Sequence, residues 1–206
     1  MNAVINSERR RRDVVVIGAS AGGVIGLREL FAKLPIDLEA AVAVVLHRSP
    51  VAETALAPVL GWRSALPVME AADAMPFQRG HVYVAPRDQH VQIEGATLRL
   101  ARGPKEHHTR PAIDPLFRSA ATSMGKRVVG VLLSGTGDDG VSGLISITAA
   151  GGVSLVQDPS EAEYPQMPRN AILKDRVQGA LPVAELADVL IQLARGDVVE
   201  MTTPTP

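Results

Sequence analysis

The sequence predicts an α/β protein, a mostly parallel sheet flanked by helices with an antiparallel hairpin attached. Three observations carry this expectation. Short runs rich in β-branched residues (14–17, 40–46, 127–133, 153–156) end abruptly in turns of small or polar residues. Such continuous apolar runs are typical of strands buried on both faces. Segments with helical spacing lie between them: Val24, Leu27, Leu30, Phe31 and Leu34 before Pro35, and later Val183, Leu186, Ala187, Leu190, Ile191 and Ala194 before Gly196. Finally, Val91-Gln92-Ile93 and Leu98-Arg99-Leu100 alternate around Glu94-Gly95-Ala96, a hairpin pattern.

Composition narrows the function classes. A chain of 206 residues suits one α/β domain. The net charge of −1 gives no global field for nucleic acid, and 3% aromatic residues are too few for base-stacking platforms. The absence of Cys excludes disulfides, thiolate catalysis and Cys-ligated zinc. No apolar run approaches the roughly 20 residues needed to span a bilayer, and no signal-peptide core follows Met1. The expectation is a cytoplasmic protein that neither binds nucleic acid nor inserts into a membrane. Residues 1–12, ending in Arg9-Arg10-Arg11-Arg12, read as a flexible basic tail, and 197–206 as a disordered one. Residues 13–196 form the domain between them.

The first strand opens into Gly18-Ala19-Ser20-Ala21-Gly22-Gly23, which starts the first helix. Ser20 therefore sits at the C-terminal edge of a strand, where open α/β sheets hold their ligands. Three readings fit this turn: a phosphate cradle, a serine nucleophile on a G-x-S-x-G turn, and a compact structural turn. The phosphate fingerprint is incomplete, because Ser20 stands at its second glycine position and no acid closes the second strand.

The second strand, 40–46, ends in His47. Two parallel strands joined by a helix bring their C-terminal ends side by side, so Ser20 and His47 are expected to approach each other. Residues 53–60 read as a short helix and 66–69 as a short strand; Val82-Tyr83-Val84 is a further strand before the hairpin. His81, His90, His107 and His108 read as exposed loop histidines, since no carboxylate at ligand spacing shares a helix face with them. No metal or other cofactor is expected. Asp114-Pro115 reads as a helix start, with Asp114 as the cap and Pro115 in the first helical position. The strand 127–133 opens into Ser134-Gly135-Thr136-Gly137-Asp138-Asp139-Gly140, bringing two carboxylates to a third strand end, where capping of the following helix is the plainer role. A helix over 168–173 precedes the final one.

Serine, histidine and aspartate thus gather at one sheet rim. Nucleophilic hydrolysis needs a base within reach of the serine and a carboxylate that fixes the base's tautomer. The order Ser, His, Asp differs from that of α/β-hydrolases.

Together these pieces resemble the catalytic domain of the CheB-type chemotaxis protein-glutamate methylesterases. The matching stretches are Ile17-Gly18-Ala19-Ser20-Ala21-Gly22-Gly23, the His47 strand end, Gly80-His81-Val82-Tyr83-Val84-Ala85-Pro86, Arg110-Pro111-Ala112-Ile113-Asp114-Pro115-Leu116-Phe117, Leu133-Ser134-Gly135-Thr136-Gly137-Asp138-Asp139-Gly140 and Met167-Pro168-Arg169. They run in order from about residue 13 to 195. The resemblance implies a Rossmann-like sheet with the hairpin near the active site. It also implies hydrolysis of glutamate methyl esters on chemoreceptors or related signalling proteins, and deamidation of receptor glutamines. It casts Ser20 as nucleophile, His47 as general base, and Asp139, not Asp138, as the carboxylate. Ala21 and Thr136 become the candidate oxyanion donors, and Arg110 a candidate substrate contact. The family often has Thr where Ala21 stands and Met where Thr136 stands; a backbone donor survives both changes. Many members carry an N-terminal receiver domain, which residues 1–12 are too short to form, so a stand-alone enzyme is the expectation. The alternative is a non-catalytic protein-binding module on the same fold.

Overall fold

The computed structural model describes residues 11–48 and 55–204. Among the described residues, seven strands form one parallel sheet and two more form a hairpin. In chain order the sheet strands are β1 (Val14–Ala19), β2 (Ala41–Leu46), β3 (Val68–Glu70), β4 (Val82–Val84), β7 (Val128–Leu132), β8 (Val153–Gln157) and β9 (Gly179–Leu181); β5 (His90–Glu94) and β6 (Thr97–Ala101) make the hairpin. The helices are α1 (Gly23–Lys33), α2 (Leu56–Gly61), α3 (Ile113–Met124), α4 (Val141–Ala149), α5 (Gln166–Lys174) and α6 (Val183–Arg195). Across the sheet the order is β3-β4-β2-β1-β7-β8-β9, so β1 lies centrally between β2 and β7.

Alternation along each strand divides the core in two. Val15 and Ile17 face α1, α2 and α6, packing with Leu27, Leu30, Phe31, Leu60, Leu186 and Leu190. Val14 and Val16 face the other way, into a cluster holding Phe117 of α3, Leu144 and Ile147 of α4, Met167 of α5, and Ile93 and Leu98 of the hairpin. The helices that follow β1 and β7 therefore cover opposite faces. In such sheets the usual ligand position lies outside the carboxyl ends of two such neighbours.

Several expectations need correction. The last helix before the C-terminal one is longer than expected and begins at Gln166. The helix expected over 53–60 starts at Leu56 in the described residues. Helix α3 begins at Ile113, with Ala112 in the cap position and no side-chain cap of its own, so Asp114 does not cap the helix it belongs to. His90 is buried, not exposed: its Nε2 is 2.9 Å from the Pro104 carbonyl, and its Nδ1 accepts the Ala112 N–H at 3.1 Å. The end of the expected basic tail is anchored. Arg12 N–H donates to Leu193 O (3.0 Å), its guanidinium to Lys126 O and Gly151 O, and Arg11 pairs with Glu39 at 2.6 Å. Residues 1–10 lie outside the described residues. Disorder expected from 197 onward does not extend to Val199 and Met201, which pack against the core. Among the described residues, no helix is long and apolar enough to cross a membrane.

Candidate active site

Ser20 follows directly on β1, and His47 directly on β2. The strands pair in register through Ala19↔Leu46, so the two residues leave adjacent strands at the same level. A backbone bond from His47 N–H to Ala19 O (3.0 Å) extends the ladder one step further. Ser20 N–H donates to Ser134 O (3.0 Å), tying the turn to the end of β7. Ser134 is central to this stitching. Its hydroxyl donates to Ala21 O (2.8 Å) and accepts the Tyr164 N–H (3.0 Å), while its own N–H donates to Gln157 Oε1 (2.9 Å). Gly22 turns the chain into α1 with φ 73°, a left-handed conformation that a β-carbon disfavours, and there is no room for one: it would lie 2.7 Å from Ser134 Oγ.

His47 Nε2 is 2.7 Å from Asp139 Oδ2. The Asp139 side chain is buried and His47 is 18% exposed, so the pair is shielded at its carboxylate end and open at the imidazole. Asp138 is exposed and faces Lys174 Nζ at 3.0 Å instead. Asp139 also accepts the Ile113 N–H (Oδ2, 2.7 Å) and the Asp114 N–H (Oδ1, 3.0 Å). These are free donors at the start of α3, where a carboxylate is stabilised by the exposed N–H groups and the helix dipole. Burial pushes the Asp139 carboxyl up, but the hydrogen bonds from His47, Ile113 and Asp114 outweigh it and hold the group below the ordinary carboxylate range. Asp139 therefore remains an anion that can orient an imidazole.

The capping is reciprocal. Asp114, in the first turn of α3, reaches across to the start of α4, where its Oδ1 accepts Gly140 N–H (3.1 Å) and Gly143 N–H (2.7 Å). Each aspartate caps the other's helix. The plain capping role foreseen for the carboxylates at Asp138-Asp139 is thus real for Asp139, but on a different helix and in addition to the contact with His47. Sequence reading missed Asp114, whose partners lie 26 and 29 residues away. His107, Asp114 and Asp139 bring three ligand-type atoms within 4.8 Å of one another. Each carboxylate oxygen there already accepts an N–H, which makes the cluster a hydrogen-bonded network and a poor cation site.

In the loop after β7, Gly135 N–H is bound to Tyr164 O (2.9 Å) and Gly137 N–H to Gln166 Oε1 (3.2 Å). Thr136 is exposed between them, and among the described residues its N–H makes no hydrogen bond, nor does that of Ala21. Ser20 Oγ likewise makes none among the described residues, so its contact with His47 is not closed in this state. With Nε2 turned toward Asp139, Nδ1 is the ring nitrogen left for a serine proton. Arg110 is not a free cation. Its Nε and Nη2 bind Asp88 Oδ1 at 2.9 and 2.7 Å, and its Nη1 binds Gly103 O at 2.7 Å, so it braces the loop before α3.

The sequence model of the family described as CheB methylesterase matches residues 15–190. A protein-glutamate methylesterase/protein-glutamine glutaminase 2 of Anaeromyxobacter dehalogenans is 40% identical over 185 residues, covering 90% of this chain and 54% of that protein. A protein-glutamate methylesterase/protein-glutamine glutaminase of Symbiobacterium thermophilum is 36% identical over 184 residues, covering 89% and 51%. The chain thus spans about half the length of the curated relatives it matches. The crystal structure of the Thermotoga maritima CheB methylesterase catalytic domain aligns with a TM-score of 0.84 at 31% identity, covering 88% of this chain and 98% of that domain. With the sheet order and the strand-end constellation already described, these likenesses settle the family: the chain belongs to the CheB methylesterases.

Proposed function

We propose that this chain hydrolyses methyl esters of glutamate side chains on chemoreceptors or related signalling proteins, on the cytoplasmic side, and that it deamidates glutamines at the same positions. Ser20 is the nucleophile, His47 the general base and Asp139 the carboxylate that orients it. The observation that carries this reading is the 2.7 Å contact between His47 and the buried Asp139, at the strand end beside Ser20.

Ser20 Oγ attacks the ester carbonyl carbon as His47 Nδ1 takes the hydroxyl proton. The carbonyl oxygen becomes an anion facing the Ala21 and Thr136 N–H groups, each such donor being worth about 3 kcal/mol in the transition state. Collapse breaks the bond to the methoxy oxygen, which leaves as methanol with the proton from His47. A water then gives its proton to His47 and attacks the glutamyl-serine ester, releasing the free carboxylate and restoring Ser20. With a glutamine the leaving group is ammonia. Asp139 keeps the imidazole oriented and stabilises its charged form throughout.

The test uses methylated receptor and measures methanol release and glutamine-to-glutamate conversion. Methanol release that disappears in Ser20→Ala supports the reading. Receptor binding without ester hydrolysis supports the protein-binding module instead.

A further inference from the structure

We propose that His107 is a positioning residue for this site, acting through Asp114 and Asp139; the proposal rests on the hydrolase reading above. The sequence offered His107 only as an exposed loop histidine. The structure places its Nε2 2.9 Å from Asp114 Oδ2 and 3.9 Å from Asp139 Oδ1. Because a carboxylate oxygen is an acceptor, Nε2 carries the proton and donates it.

Asp114 and Asp139 are both buried, and their ligand-type oxygens lie within 4.8 Å of each other and of His107. Two buried carboxylates this close repel unless donors or cations face them. Asp139 has His47 on one side. For Asp114 the facing groups are the Gly140 and Gly143 N–H donors, His107, and Arg118, whose Nη1 is 3.8 Å from Oδ2. Arg118 is already held by both oxygens of Glu106, at 2.8 and 2.7 Å. His107 is therefore the short contact on Asp114 Oδ2. Burial, reinforced by the Asp139 charge, pushes the Asp114 carboxyl up, and the Gly143 N–H and the His107 contact oppose that rise.

The geometry also shows how a loss at His107 travels. Asp114 grips Gly140, the residue directly after Asp139, and Asp139 grips the N–H of Asp114 itself. If Asp114 turns away, the base of Asp139 moves, and with it the partner of His47. His107 and His108 are the central residues of a tight turn closed by Thr109 N–H to Glu106 O at 2.9 Å, left-handed at φ 49° and 61° as such a turn requires, and this turn carries the His107 ring to Asp114.

The test compares His107→Ala, His107→Gln, Asp114→Asn and the double variant His107→Ala/Asp114→Asn. Two readouts are kcat and KM for a small aryl ester, and the proton resonance of the His47–Asp139 hydrogen bond. His107→Ala is expected to lower kcat about three- to tenfold, the size of one lost hydrogen bond, with KM unchanged. It should also shift or broaden the His47 resonance. His107→Gln, which restores an N–H donor, recovers both readouts. In the Asp114→Asn background the alanine change adds nothing. Unchanged kcat and resonance in His107→Ala overturn the proposal, as does an equal loss with Asp114→Asn present or a loss that Gln fails to recover. If the unaltered chain cleaves no ester, the hydrolase reading falls, while the resonance still reports on positioning.

Discussion

Replacing Asp139 by Asn separates its two roles. The carboxylate accepts three bonds: His47 and Ile113 N–H at 2.7 Å, and Asp114 N–H at 3.0 Å. An amide offers one carbonyl oxygen, and its NH₂ faces at least one donor. One buried, charge-assisted bond is lost and one N–H of α3 loses its acceptor, costing about 2–4 kcal/mol. At about 2–4 °C per kcal/mol for a domain of this size, Tm falls by roughly 5–15 °C, and the chain stays folded at room temperature. The catalytic loss is larger, because the amide favours the wrong imidazole tautomer and removes the charge that stabilises the imidazolium. A serine protease altered in the same way loses about 10⁴-fold in kcat, and a drop on the order of 10³–10⁴-fold is expected here. Asp138→Asn is the control. Its contact is a half-exposed pair with Lys174, worth about 0–1 kcal/mol before screening, so activity and Tm should hardly move. The assay is steady-state ester hydrolysis with thermal unfolding on the same samples. Equal activity losses at 138 and 139, or an Asp139→Asn variant within tenfold of the parent, refute the reasoning.

Three further outcomes follow from particular contacts. Ser20→Ala should abolish hydrolysis and keep Tm within a few degrees, because the anchoring bond of that residue is its backbone N–H to Ser134 O; measurable turnover above background in this variant contradicts its role. Gly143→Ala should destabilise by about 1–3 kcal/mol or more, since the new β-carbon would lie 2.3 Å from Phe117 Cβ and 3.1 Å from Asp114 Oδ1. Better helix propensity returns at most about 1 kcal/mol, so the clash wins, and a raised Tm would show that the α3–α4 contact yields easily. At the other end of the sheet, burial pushes the Asp13 carboxyl up, but hydrogen bonds from Arg127 and Arg79 hold it below its ordinary range. A depressed carboxyl contributes stability above its unfolded pKa of about 4 and loses it as pH falls through the folded value. Asp139 acts in the same sense, and Asp114, raised, in the opposite one. Urea unfolding at pH 7 and pH 3 should show acid destabilisation that shrinks in Asp13→Asn; an unchanged difference contradicts the clasp.

Much of the site was legible because strand ends are legible. Ser20 and His47 follow buried apolar runs, and parallel register alone places them side by side. The choice between Asp138 and Asp139 was not accessible to spacing and rested on family likeness, since adjacent residues in a loop differ only in which way the chain turns. Asp114 was assigned to its own helix because local capping rules see neighbours in sequence, whereas its acceptors face the start of α4. The burial of His90 and the packing of Val199 and Met201 were hidden for a related reason: a polar residue or a short apolar stretch near a terminus acquires its role only from distant partners. The three-residue strand β9 left no periodic signal of its own.

Activation of Ser20 by His47 is the step on which the proposed hydrolysis depends. The most direct measurement is reaction of the chain with a fluorophosphonate, followed by peptide mapping of the adduct and its rate of formation. One adduct on Ser20 is expected, formed at least a hundredfold more slowly in His47→Ala, in line with the contribution of a general base, about 10²–10⁴-fold. An adduct on another serine, or labelling of His47→Ala at the parent rate, would contradict it.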